Sequence, residues 1–225
     1  MSAQHSDAAR HMDGIYRYQR YFYDATRKYF LLGRDRLING LKPPPGGSVL
    51  EVGCGTGRNL IQAARRYPDA QFFGFDISRL MLDTSRRSIA RAGLQNRITV
   101  AVGDATSFSP EPMFGVPAFD RIFISYTLSM VPQWRRALPA AYDALAPGGE
   151  LHIVDFGQQS RLPGFFRSGL RAWLAKFSVE PRPDLEEALR EIAESNGAQL
   201  TFQHLYRDYA HYAVLRRPHP DDPKA

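Results

Sequence analysis

The stretch that most constrains this chain is residues 49–60, Val-Leu-Glu-Val-Gly-Cys-Gly-Thr-Gly-Arg-Asn-Leu. Val49, Leu50 and Val52 form a short apolar run of the kind that becomes a buried parallel strand. Gly53, Gly55 and Gly57 follow at alternate positions, after which Leu60, Ile61 and Ala64 fall on one helical face. Strand, glycine turn and helix in that order suit a nucleotide-bearing ligand. The glycines let the backbone come close, and the helix N-terminus offers unsatisfied N–H donors. The dinucleotide fingerprint asks for glycine or alanine at its sixth position, where this chain has Arg58. Glu51, two residues before the first glycine, would repel a pyrophosphate. It suits instead a ligand with a positive group, such as an amine or a sulfonium.

The strands that follow sharpen the reading. Gln71–Asp76 reads as a second strand ending in an acid, and Asp76 follows Gly57 by 19 residues. At that spacing a carboxylate can accept from both hydroxyls of a ribose. Ser78 is placed to cap a helix over 80–92 that Gly93 closes. Ile98–Val102 is a third strand, leading into Gly103-Asp104-Ala105, where an acid can accept from an exocyclic amine. A fourth strand runs over 120–125, with Ser125 and Tyr126 at its carboxyl end. A helix over 134–145 and a Pro147-Gly148-Gly149 turn lead to a fifth, Glu150–Phe156. Strand-helix repetition of this kind predicts an α/β, doubly wound parallel sheet with ligands at the carboxyl ends of its strands. A helix over 184–195, closed by Asn196-Gly197, precedes two final strands, 199–205 and 209–215.

Glu51, Gly53, Gly55 and Gly57 resemble the first motif of class I S-adenosylmethionine-dependent methyltransferases. Asp76, Asp104, Ser125-Tyr126 and Ala146-Pro147-Gly148-Gly149-Glu150-Leu151 extend the resemblance over about half the chain. It implies a Rossmann-like seven-stranded sheet with an antiparallel C-terminal strand. It also implies S-adenosyl-L-methionine as cofactor, S-adenosyl-L-homocysteine as product, and enzymatic methyl transfer. The cofactor residues would be Glu51, Gly53, Gly55, Gly57, Asp76 with its neighbour Ile77, Asp104 with Ala105, Ser125, and Arg34. Methyl transfer needs alignment and exclusion of water more than acid–base residues, which agrees with the absence of an evident triad.

The chain has 225 residues and is 44% hydrophobic, enough for one α/β domain. No apolar run approaches the ~20 residues of a membrane span, and Met1–Arg10 has no signal-peptide character. Cys54, the one cysteine, excludes an internal disulfide and fits a cytoplasmic setting. The histidines (His5, His11, His152, His204, His211, His219) show no ligand spacing, so no metal is expected. His152 reads as a strand residue. No Asn-Pro-Pro-Tyr-type motif accompanies the basic balance, so no nucleic-acid partner is expected.

The net charge of +6 is concentrated. Residues 10–36 hold seven basic and three acidic side chains, and residues 158–182 five and one. Residues 1–45 read as an N-terminal extension, helical over 15–41 and dense in tyrosine and arginine, ended by Gly33 and the Pro43–Gly47 run. Residues 46–225 read as the catalytic domain. Within it, 157–182 reads as a substrate or membrane segment, where Phe165, Phe166, Leu170, Trp173, Leu174 and Phe177 alternate with Arg167, Arg171 and Lys176. That profile suits an interfacial helix on an anionic membrane surface; an ordinary helix with snorkelling arginines suits it equally.

Tyr-Arg-x-Gln-Arg-x-x-Tyr-Asp-x-Thr-Arg-Lys in the N-terminal region, Gly33-Arg34, and Asp155-Phe156-Gly157-Gln158-Gln159 resemble bacterial betaine-lipid N-methyltransferases, relatives of phosphatidylethanolamine N-methyltransferases. The resemblance implies successive methylation of diacylglyceryl-homoserine by an enzyme at the inner membrane face. Tyr16, Tyr23 and Tyr126 are then candidate catalytic residues, whose ring faces can hold a growing quaternary ammonium. Arg34 would bind a carboxylate or phosphate, or else pair with a helix-end carbonyl. The rival readings are a methyltransferase of a soluble small molecule or quinone, and a cofactor-binding regulator without turnover.

Overall fold

A computed structural model of the chain describes residues 31–221. Seven strands form one sheet: β1 (Ser48–Val52), β2 (Gln71–Asp76), β3 (Ile98–Val102), β4 (Phe119–Ser125), β5 (Leu145–Phe156), β6 (Gln199–Leu205) and β7 (Ala210–Arg216). Their spatial order is β3-β2-β1-β4-β5-β7-β6. The pairs β1–β2, β2–β3, β1–β4 and β4–β5 are parallel, while β7 runs antiparallel to both β5 and β6. This is the expected doubly wound architecture. Successive strands leave β1 in opposite directions, β2 to one side and β4 to the other, which opens a crevice at their carboxyl ends.

The helices are α1 (Arg34–Gly40), α2 (Arg58–Arg66), α3 (Arg79–Arg91), α4 (Pro110–Phe114), α5 (Trp134–Asp143), α6 (Gly164–Ala175) and α7 (Leu185–Asn196). Both faces of the sheet are covered, as its parallel strands β1–β5 require. One core gathers Leu37, Leu60, Leu82, Ile89, Leu170 and Leu174 from α1, α2, α3 and α6. The other gathers Ala137, Leu138, Ala141, Leu185 and Leu189 from α5 and α7.

Local chemistry accounts for most boundaries. Ser78 caps α3 by accepting from the Met81 N–H, and Gly197 closes α7 at φ +61°. Three boundaries depart from expectation. Gly33, read as a helix stop, instead opens α1 as its N-cap at φ +88°, and its carbonyl accepts from Leu37 N–H. β5 begins at Leu145 because Ala146–Gly149 bulges within the strand: Phe119 pairs with Leu145, yet Arg121 pairs with Glu150. The short α4 carries no buried residue and so leaves no apolar periodicity to read. The expected helical stretch over 15–30 lies outside the described residues.

Candidate active site

The carboxyl ends of β1, β2 and β4 meet at the glycine turn. Gly53, Gly55 and Gly57 all lie in the left-handed region, at φ +72°, +52° and +76°. A Cβ on Gly53 would stand 2.7 Å from Thr127 Oγ1, and one on Gly57 would collide with Ser85 Oγ. The turn is thus pressed against the end of β4 on one side and α3 on the other. Gly57 caps α2 with no side chain, so the first N–H groups of α2 face the turn unclaimed by a cap.

Carboxylates set the electrostatics. Glu51 is 1% exposed, and one of its oxygens accepts from Asn59 Nδ2 at 2.7 Å. Asp76 is buried at the end of β2; Oδ2 accepts from Gly55 N–H and Oδ1 from Ser78 N–H, each at 2.9 Å. The side chain therefore straps the glycine turn to the β2 end. A carboxylate has about four lone-pair sites, so this strap is compatible with accepting from a diol as well. Ile77, next along, is half-buried. Asp104 closes an Asx turn after β3, with Oδ1 accepting from Thr106 N–H and Oγ1, both at 2.8 Å. Ala105 beside it is buried.

At the end of β4, the Ser125 hydroxyl is buried and has no hydrogen-bond partner among the described residues. A buried polar group left so is costly, and here it sits beside a cradle that only glycines permit. Glycine turn, flanking carboxylates and orphaned hydroxyl together fit S-adenosyl-L-methionine.

Tyr126 differs from its expected role. It is 2% exposed and held at φ +56°. Its ring packs edge-on against Phe156 at 4.6 Å, and its hydroxyl donates to the Leu32 carbonyl at 2.5 Å. Burial first, then neighbouring Tyr209 and Asp155, push the phenol well above its ordinary pKa, with Arg34 opposing. The residue thereby pins the 31–34 segment across the ends of β4 and β5. Arg34 is buried there and donates from Nε to the Leu31 carbonyl at 3.3 Å, a carbonyl that precedes α1 rather than one at a helix end. Tyr16 and Tyr23 lie outside the described residues.

On α6, Leu170 and Leu174 are buried in the core, and Trp173 stacks near Phe177 at 4.8 Å. The apolar face expected to meet a membrane therefore packs largely inward. Phe165 stands 83% exposed, and Arg161, Arg167 and Arg171 are exposed as well. Among the described residues no helix is long and apolar enough to cross a membrane.

Three structural roles escaped the sequence. Asn59, which braces Glu51, sits inside the quoted motif with no signal of its own. Buried Asp155 accepts from Ser129 and Phe156 N–H groups at 3.2 and 2.8 Å, and its burial pushes the carboxyl pKa up. The reading of the histidines as scattered is corrected for two of them. His204 on β6 and His211 on β7 are paired directly across the hairpin and converge on Asp208. The spacing His-x3-Asp-x2-His carried that signal. His152 is a buried strand residue bonded to Glu150 and Tyr212.

Comparison with known proteins agrees with this architecture. Residues 49–149 match the family model described as a methyltransferase domain. The chain is 32% identical over 127 residues to a ubiquinone/menaquinone biosynthesis C-methyltransferase of Cereibacter sphaeroides, covering 56% of this chain and 49% of that one. It is 31% identical over 146 residues to a demethylmenaquinone methyltransferase of Bacteroides fragilis, covering 63% and 58%. The matched region thus spans about half the length of these curated relatives. An O-methyltransferase family protein from Burkholderia thailandensis shares the fold with a TM-score of 0.71 at 17% identity, over 90% of this chain and 60% of that one.

Proposed function

We propose that this chain, whose residues 49–149 match a methyltransferase-domain family model, is a class I S-adenosylmethionine-dependent methyltransferase that methylates a small acceptor of the quinone type. The observation that carries the cofactor half is the Gly53–Gly57 turn, closed against Thr127 and strapped through Gly55 N–H to Asp76 at the crevice between β1 and β4. Similarity to the two quinone methyltransferases supports the acceptor class.

The cofactor supplies, when bound, a sulfonium methyl that is electrophilic without further activation. The chain's residues then hold and shield. Glu51 provides negative charge where a positive ligand lies, and its own burial limits screening by water. Gly53 and Gly55 would let backbone approach the ligand, Asp76 would accept from a ribose, and Asp104 with Ala105 would hold the adenine. Ser125 would offer its hydroxyl, which has no partner among the described residues. Tyr126, by holding Leu32, fixes the 31–34 segment against the carboxyl ends of β4 and β5, where it would help exclude water.

A second reading, N-methylation of a lipid headgroup such as diacylglyceryl-homoserine, draws on exposed Phe165 beside Arg161, Arg167 and Arg171. In that reading residues 1–45 form a lid, Tyr16 and Tyr23 lend ring faces to the ammonium, and the protein works peripherally at an anionic inner membrane face.

One experiment separates them. The full chain is incubated with methyl-labelled S-adenosylmethionine in three arms: a demethylated quinol, vesicles with diacylglyceryl-homoserine, and vesicles with phosphatidylethanolamine. Label in the quinol alone supports the first reading, and label in either vesicle arm replaces it with the second. No label anywhere, with cofactor bound, overturns both acceptor assignments.

A further inference from the structure

The β6–β7 hairpin carries a group of side chains that methyl transfer does not use. His204 and His211 face each other across its last paired rungs, and the connecting turn is backbone that L-residues rarely adopt. Tyr206, Arg207 and Asp208 lie in succession at φ +52°, +59° and +66°, with no glycine among them. Such conformations persist where surrounding contacts over-determine them, and they gather at functional positions.

Asp208 supplies those contacts. Its Oδ1 stands 2.9 Å from His204 Nδ1 and 2.8 Å from His211 Nε2. Its Oδ2 accepts from Ser160 N–H at 3.1 Å and Ser160 Oγ at 2.7 Å. The three inward atoms all lie within 4.8 Å of one another. Around an ion with ligand distances of ~2.0–2.2 Å, adjacent ligand atoms stand roughly 3 Å apart, so the observed spacing needs little opening.

The surroundings match those of a ligand set. With no ion bound, His204 Nδ1–H donates to Asp208 Oδ1. Glu186 Oε2, 3.6 Å from Nε2 on the outer side of the ring, is the partner that would take the ring proton once Nδ1 turned its lone pair to a metal. Ser160 fixes the orientation of the carboxylate. Phe202 packs against both imidazoles, with ring centroids at 5.4 and 5.1 Å. His211 is 4% exposed, and its Nδ1 has no hydrogen-bond partner among the described residues. The half-exposed His204 leaves a path from solvent.

We propose that His204, Asp208 and His211 bind one divalent transition-metal ion, of the class that takes imidazole and carboxylate ligands. The ion would cross-link the two strands of the hairpin through its turn, which itself meets the β5–α6 loop through Gln159 N–H on the Asp208 carbonyl and Gly157 N–H on the Tyr209 carbonyl.

The test uses the full chain, untagged and stripped with chelator, titrated with zinc chloride by calorimetry and followed by thermal unfolding. The proposal predicts one equivalent bound and a higher melting temperature. His204→Gln, at a half-exposed position that tolerates change, should weaken binding by roughly tenfold or more, since even outer-shell partners of a ligand contribute on that scale. The His204→Gln protein should also lose most of the thermal gain. Cobalt(II) loading supplies a second readout, a visible band that His204→Gln removes. Absence of micromolar binding, or equal binding and equal spectra in both proteins, overturns the proposal and leaves a hydrogen-bonded clamp.

Discussion

The two ends of the sheet's carboxyl edge are built on different principles. On the β3-β2-β1 side the polar contacts are local. Glu51 meets Asn59 eight residues on, Asp76 meets Gly55 across 21, and Asp104 meets Thr106 across two. On the β4-β5-β7 side they join distant segments: Tyr126 to Leu32 across 94 residues, Arg182 to Leu128 across 54, and Ser160 to Asp208 across 48. The first side is a cradle formed by one turn and its neighbours. The second is a wall assembled from five separate stretches of chain. A ligand common to many proteins suits the former, and an acceptor particular to one suits the latter.

The largest expected effect strikes the cradle. Gly53→Val puts a branched side chain at φ +72° and into Thr127. The left-handed backbone alone costs ~1–2 kcal/mol, and the collision adds to it. Calorimetry should find no cofactor binding. Gly164→Ala at the start of α6, where nothing lies within 4 Å, should bind as the parent does. Equal binding by Gly53→Val would remove the close approach from the account.

Asp76→Ala is next. It loses a charged acceptor, a group worth roughly 1.5–3 kcal/mol, or about 10–150-fold in the cofactor dissociation constant. A change within twofold would show that Asp76 serves only to strap the turn.

Tyr126→Phe probes the wall. Losing the bond to Leu32 should cost about 1 kcal/mol of stability and raise KM for the acceptor more than for the cofactor. It also changes the response to alkali. Burial raises the phenols of Tyr126 and Tyr209, the latter to about 12. A folded-state pKa above the unfolded one gives stability that is complete below about 10 and declines as pH rises toward 12. Melting curves should therefore fall over that window, and less steeply for Tyr126→Phe.

The smallest effect on stability belongs to Phe165→Ser, expected within about 0.5 kcal/mol at so exposed a position. If the acceptor is a lipid, the same change should sharply reduce binding to anionic vesicles. Unchanged vesicle binding would confine the acceptor to soluble or quinone chemistry.

The same contrast explains what the sequence could disclose. Glycine spacing, the acids after β2 and β3, and the caps at Ser78 and Gly197 are consequences of neighbouring residues, and they were readable as such. The bulge over 146–149 and the opening of α1 at Gly33 depend on which strand or segment lies alongside, so the same glycines pointed to plainer turns. Tyr126 was placed correctly at a strand end. Its hydroxyl's partner, 94 residues away, was not deducible. The α6 helix showed its aromatic and basic residues clearly. Which of them face the core was decided by the sheet beneath, and that left Phe165 outside while Leu170 and Leu174 went in.

The most direct measurement is a crystal structure of the full chain with S-adenosyl-L-homocysteine. The account predicts the ligand at the carboxyl ends of β1 and β4, its ribose within hydrogen-bond reach of Asp76 and its backbone neighbours Gly53 and Gly55. A ligand bound elsewhere, or a chain that takes up none at millimolar concentration, would contradict it.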